Sequence, residues 1–198
     1  MALTEKWQIC IKLKSTSFLI SLTKNLFKQE ERIISKMNNL DMIVEIPYNS
    51  FVKYEFDKDK EQMRCDRVLH TAMSYPGNYG YFPNTLAGDG DPLDVLMICD
   101  YAIYPGILVK VKIIGVLITT DEKGEDEKII VVPSEGVDPN YTHINHYDDL
   151  PPWTLSKIRH FFEHYKDTEN NKWVKVKDFR GREDAIQIYK KTVKRYKD

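Results

Sequence analysis

The order of periodicities along the chain limits its fold more than any other feature. From residue 42 to residue 132 the apolar positions come in the short runs and two-residue alternations of strands. Helical spacing appears only after Pro151 and Pro152. The run 42–46 ends at Pro47, and the segment 51–56 alternates so that Lys53 and Glu55 share a strand face. A weaker strand is expected at 62–69, and a turn-rich loop at 74–92, where Gly, Pro, Asn and Asp cluster. A buried strand at 93–99 follows. The β-branched run 107–119 is the longest, and it turns through 121–126 into a returning strand at 127–132. In the last third, Leu155, Ile158, Phe162 and Tyr165 form one helical stripe and Ala185, Ile188, Thr192 and Tyr196 another, with a strand around Val174 and Val176 between them. Strands first and helices last predict an α+β protein, mainly β, with a barrel or curled sheet on which helices lie.

The 198 residues suit one domain, or one domain with an extension. A net charge of −1 argues against a general nucleic-acid binder, and no apolar run is long enough to span a membrane. Cys10, Cys65 and Cys99 cannot all pair and show no metal-type spacing, which points to a reducing, intracellular setting. The charge is uneven. Residues 1–40 carry seven basic and three acidic groups, a net +4 that leaves −5 on the other 158 residues. This basic segment reads as an N-terminal extension docked on the main domain. An organelle-targeting peptide is the alternative, although such peptides favour Arg where this segment uses Lys.

The segment richest in chemistry is Asp89-Gly90-Asp91-Pro92-Leu93-Asp94. Three carboxylates within six residues, bent by Gly and Pro, suit a hard divalent cation that needs several oxygens at one point. An ordinary acidic turn uses the same residue types. An EF-hand is excluded, because Asp94 and Asp100 stand where that loop needs Gly and Glu. A second acidic group, Asp121, Glu122, Glu125, Asp126 and Glu127, surrounds the hairpin turn next to Lys128. Alone it would be a solvated turn. Together, acidic clusters with lysines beside them suit a metal–phosphate substrate, the acids holding cations and the lysines clamping phosphate oxygens. No Gly-rich phosphate loop of the Walker type is present.

Several blocks, in order, resemble the soluble family I inorganic pyrophosphatases in their short, bacterial-type form. They are Val44-Glu45-Ile46-Pro47, Lys53-Tyr54-Glu55, Asp66-Arg67, Tyr75 to Tyr81, Asp89 to Val95, Thr120 to Lys128 and His160 to Lys166. The similarity spans about residues 42–198, so residues 1–40 are set apart as an extension and 41–198 as the family's domain. The resemblance implies an OB-like five-stranded barrel with two C-terminal helices packed on it. It also implies hydrolysis of pyrophosphate to two phosphates, with several Mg²⁺ ions per site and Mn²⁺ as a substitute. Carried across, Asp89, Asp94, Asp121 and Asp126 are expected to ligate metal and Asp91 to serve as general base. Lys53, Arg67, Tyr79, Lys128, Tyr165 and Lys166 are expected to hold the phosphates. Glu45, Glu55 and Glu122 are expected to meet the metals through water or through other ligands. The family's hexamer of two trimers is expected as well, with His160 and His164 at an interface, no nucleic-acid or membrane partner, and a cytoplasmic location unless residues 1–36 are a targeting segment.

Two other readings compete. His160, Glu163 and His164 match the H-x-x-E-H zinc-protease pattern, but only 34 residues remain to supply a third ligand. Tyr75, Tyr79 and Tyr81 could form a stacking platform for single-stranded nucleic acid on a catalytically silent module, against the charge of −5. Elsewhere, Trp153 and Trp173 are expected in the core or an interface, Cys65 and Cys99 as buried fillers, and Lys110 and Lys112 on a half-exposed strand.

Overall fold

The computed structural model describes residue 35 and residues 37–122 and 124–198. The reading of residues 1–40 as an extension falls almost wholly outside the described residues. Nine strands are described: β1 (Leu40–Ile46), β2 (Val52–Asp57), β3 (Gln62–Val68), β4 (Asn78–Tyr81), β5 (Asp94–Met97), β6 (Leu108–Asp121), β7 (Gly124–Glu125), β8 (Lys128–Pro133) and β9 (Val174–Arg180). Helix α1 (Pro152–His164) precedes β9, and α2 (Arg182–Lys197) follows it.

Five strands close a ring in the order β1-β4-β5-β8-β6, with β6 pairing back onto β1. This is the OB-like barrel expected from the resemblance. The length of β6 makes closure possible. Its start pairs with β1 (Leu40 opposite Val111), its middle with β8, and its far end with β9 (Val116 opposite Arg180). A bulge between Ile113 and Gly115 bends it where it changes partners. Gly115 is needed there, since a Cβ would lie 2.9 Å from the Arg180 carbonyl oxygen and 3.0 Å from Tyr147.

The core follows from alternation. On β1, Leu40, Met42, Val44 and Ile46 are buried, which turns Asp41, Ile43 and Glu45 to the other face. α1 begins with Pro152, where a missing N–H costs nothing. It buries Ile158, Phe161 and Phe162, packing Phe161 on Tyr75 (centroids 4.7 Å apart). The segment 74–92 is not loop throughout, because it holds β4. Its turn-forming residues hide a strand whose Gly80 lies against β1, where a Cβ would come within 1.9 Å of the Ile43 carbonyl oxygen.

Other expectations are corrected. Cys65 is exposed, while Cys99 is buried as expected. Trp153 and Trp173 are exposed, which excludes the core and leaves the interface half of that expectation standing. Lys112 is buried, because its ammonium reaches past the sheet to donate to the carbonyls of Tyr141 and Thr142 and to Asn145 Oδ1. Lys110 does face solvent, paired with Asp41. No helix among the described residues is long and apolar enough to cross a membrane.

Candidate active site

Strand pairing brings the charged residues to one end of the barrel. β5 and β8 run parallel, with Val95 opposite Ile129, so Asp94 and Lys128 open adjacent strands side by side. β4 is antiparallel to β5, setting Tyr81 opposite Asp94, and β6 is antiparallel to β8, so that its last residue, Asp121, lies at the same end. The hairpin β2–β3 forms a separate two-stranded sheet with Lys53 opposite Arg67. The end of α1 delivers Tyr165 and Lys166, and the Gly88–Pro92 turn contributes Asp89 and Asp91. In that turn the Asp91 N–H donates to Asp89 Oδ1 (3.1 Å), and Gly90 takes φ +90°, which its missing side chain permits.

These elements surround a cleft of about 530 Å³. All fourteen residues singled out in the sequence line it: Asp91; Asp89, Asp94, Asp121 and Asp126; Lys53, Arg67, Tyr79, Lys128, Tyr165 and Lys166; and Glu45, Glu55 and Glu122. Sequence reasoning missed roles for Lys58, Arg64, Asp66 and Lys172, which line it too. Asp66 is the extra residue of a bulge, since Lys53 faces Arg67 while Tyr54 faces Cys65. Nothing in the sequence marks that bulge, although bulges often re-aim side chains beside active sites. Tyr75 and Tyr79 are buried among α1 aromatics, so the stacking platform proposed for nucleic acid does not exist.

The electrostatics are tightly interlocked. The Lys128 ammonium, 3% exposed, donates to both Asp94 and Asp126. Burial opposes its charge, but the two carboxylates drive its pKa far above the ordinary lysine value. Asp126 is also pushed up, by burial first and then by repulsion from Asp94 and Asp121, despite Lys128. The two shifts are compatible: one ammonium gains from two carboxylates, whereas each carboxylate shares it with a rival. Burial lifts Glu45 to about 7, against the hydrogen bond it accepts from the Phe56 N–H (2.9 Å). On the hairpin, burial would raise Glu55 and Asp66, but Lys53, Arg64 and Arg67 outweigh it and hold both carboxyls below their usual range. Lys166 bridges Asp121 (3.0 Å) and Glu122 (3.5 Å).

Among the described residues the cleft lining carries nine carboxylates and seven Lys or Arg side chains. Oxygen donors of this kind, without His or Cys among them, fit hard divalent cations. The acidic surplus would repel a phosphate polyanion on its own, so the same charges that fit cations require them before such a substrate can bind. No three carboxylates among the described residues converge on a single coordination point, and Lys128 stands between Asp94 and Asp126.

The sequence model of the inorganic pyrophosphatase family matches residues 42–197. The chain belongs to the inorganic pyrophosphatase family. The inorganic pyrophosphatase of Campylobacter jejuni is 49% identical over 160 residues, covering 81% of this chain and 93% of that protein. That of the archaeon Saccharolobus solfataricus is 44% identical over 160 residues, with the same coverage of 81% and 93%. Among solved structures, the inorganic pyrophosphatase of Helicobacter pylori superposes with a TM-score of 0.81 at 47% identity, covering 82% of this chain and 96% of that one. Such family membership brings a divalent-metal requirement, in agreement with the oxygen-rich cleft.

Proposed function

We propose that the chain hydrolyses inorganic pyrophosphate to two orthophosphates, with Mg²⁺ as its working cation and Mn²⁺ as a substitute. The observation that carries this reading is the single cleft in which carboxylates from β1, β2, β5, β6 and the two acidic turns face cationic side chains from β2, β3, β8 and the end of α1. Asp89, Asp94, Asp121 and Asp126 would hold the cations, with Glu45, Glu55 and Glu122 behind them. When bound, the cations neutralise phosphate charge and make an attacking water more acidic. Asp91 is exposed at its turn, with Lys58 Nζ 3.9 Å away as its neighbouring cation, and it accepts the proton that the attacking water gives up. Lys53, Arg67, Lys128 and Lys166 bind phosphate oxygens and take up the charge that builds on the leaving phosphate. The Tyr79 and Tyr165 hydroxyls are held neutral by burial, so they donate hydrogen bonds and add no repulsion.

Phosphate release from pyrophosphate with Mg²⁺, then with EDTA, tests the reading. Rapid release that EDTA stops supports it, and a folded, Mg²⁺-loaded protein that releases nothing refutes it.

The same proposal assigns the catalytic domain to residues 41–198, a span supported by the family match over 42–197. It also includes a hexamer of two trimers. His160 and His164 lie exposed one turn apart on α1, with His164 Nδ1 2.7 Å from Asp167, and sit at an interface between subunits. Sedimentation of the His160→Glu, His164→Glu double variant should show a smaller assembly than the parent, and an unchanged oligomer would remove the histidines from that role. The unpaired thiols of Cys65 and Cys99 fit the cytoplasm as its location.

A further inference from the structure

We infer that Glu169 is a positioning residue that sets which edge of Arg67 faces the substrate, an inference that rests on the pyrophosphatase reading above. Glu169 follows α1 in the connection to β9, 102 residues from Arg67 in sequence, and its side chain is only 6% exposed. One of its oxygens, Oε1, accepts from both Arg67 Nε (2.9 Å) and Arg67 Nη2 (2.7 Å). The other, Oε2, accepts from Lys172 Nζ (2.7 Å). On the opposite side, Arg67 Nη1 donates to Asp66 at 2.5 Å.

A guanidinium carries five N–H groups in a rigid planar fork, and its Nε–Nη2 edge is one that can grip an oxyanion with two parallel bonds. In this cleft that edge is taken by Glu169. Arg67 therefore meets phosphate with the remaining hydrogens of Nη1 and Nη2, at the end of the fork. The clamp has two consequences. It removes rotamer freedom from a long side chain before substrate arrives, so the ordering cost is already met. It also ties the β2–β3 hairpin, which belongs to no other sheet, to the connection that follows Tyr165 and Lys166. Phosphate-binding groups from two separate elements thus keep one spacing. Removing the clamp would free the Nε–Nη2 edge to grip ground-state phosphate, which favours binding over turnover.

The test is a double-mutant cycle on phosphate release with Mg²⁺, using Glu169→Ala, Arg67→Ala and the pair, with Glu169→Gln as a near-isosteric control. Glu169→Ala is expected to lower kcat by about tenfold while KM stays level or falls. Glu169→Gln, whose Oε1 can still accept both Arg67 bonds, is expected to restore most of kcat. In the Arg67→Ala background, Glu169→Ala should change kcat/KM by less than about twofold, because its action through Arg67 is already gone. An equal loss in both backgrounds, or a raised KM with kcat unchanged, overturns the inference while the active parent protein leaves the pyrophosphatase reading standing. A parent protein without activity overturns both. Circular-dichroism melting of each variant identifies any that fails to fold. If Glu169→Ala fails, Glu169→Gln and Glu169→Asp carry the cycle, with Asp expected to lose more kcat than Gln because its shorter side chain cannot reach both donors.

Discussion

Replacing Lys128 by Met probes the most heavily loaded interaction in the cleft. The ammonium is almost fully buried and is the shared counter-charge of Asp94 and Asp126. Met fills a similar volume but leaves two carboxylates side by side without their cation. Breaking a buried pair by removing one partner costs about 3–5 kcal/mol. For a domain of this size each kcal/mol moves Tm by roughly 2–4 °C, so the metal-free variant should melt about 6–20 °C lower at pH 7.5. The pH dependence has a definite sign. Asp126 already titrates above its unfolded value, and losing Lys128 raises it further. A carboxyl whose folded pKa is raised loses stability as pH climbs past its unfolded value, so acidification from pH 8 toward 5 should recover part of the loss. Millimolar Mg²⁺ should recover more, as a cation takes over the work of the ammonium. The assay is thermal melting in EDTA, followed with added Mg²⁺, at fixed protein concentration. A Lys128→Met protein that melts within 1–2 °C of the parent in EDTA would refute the reasoning, because it would mean the two carboxylates need no counter-charge.

The other expectations are narrower. Asp91→Asn should keep Mg²⁺ binding by titration calorimetry and lose at least about a hundredfold in kcat, a typical scale for removing a proton-transfer group, and near-normal turnover would remove Asp91 from that role. Because burial lifts Glu45 to about 7, its ionised form burdens the metal-free fold as pH rises through 4.5–7. Glu45→Gln should therefore be about 3 kcal/mol more stable than the parent in denaturant titrations at pH 8 and equal to it below pH 4. Equal stabilities at pH 8 would contradict the burial argument. Gly80→Ala would push a methyl group into the Ile43 carbonyl at a place where neither backbone can yield, so it should lower stability by more than about 3 kcal/mol or abolish soluble expression.

Periodicity alone made most of the barrel legible. The alternation on β1, the β-branched length of β6 and the aromatic stripe of α1 are local patterns, and each strand or helix must bury its apolar face whatever its neighbours are. The acidic turns were legible for a similar reason, since Asp89, Asp91 and Asp94 are adjacent in the chain and their type and spacing already speak of cations. Three misreadings show the limit of local pattern. β4 was hidden because Gly80 serves a close backbone approach, although glycine usually marks a turn. Lys112 alternates like an exposed residue, yet its long stem carries the ammonium to carbonyl oxygens 29–33 residues away. Cys65 was read as buried on a strand that proves to be exposed.

By itself, the sequence determined which segments become strands or helices and which residues carry charge, because those properties depend on neighbours within a few positions. Only the tertiary structure decided which charges meet. Parallel pairing of β5 with β8 set Asp94 beside Lys128, 34 positions away, and a bulge in β3 turned Asp66 toward Lys53. The connection after α1 carried Glu169 to Arg67 across 102 positions. Those meetings depend on ring closure and sheet register. Both are properties of the assembled barrel, and no local segment of the chain encodes them.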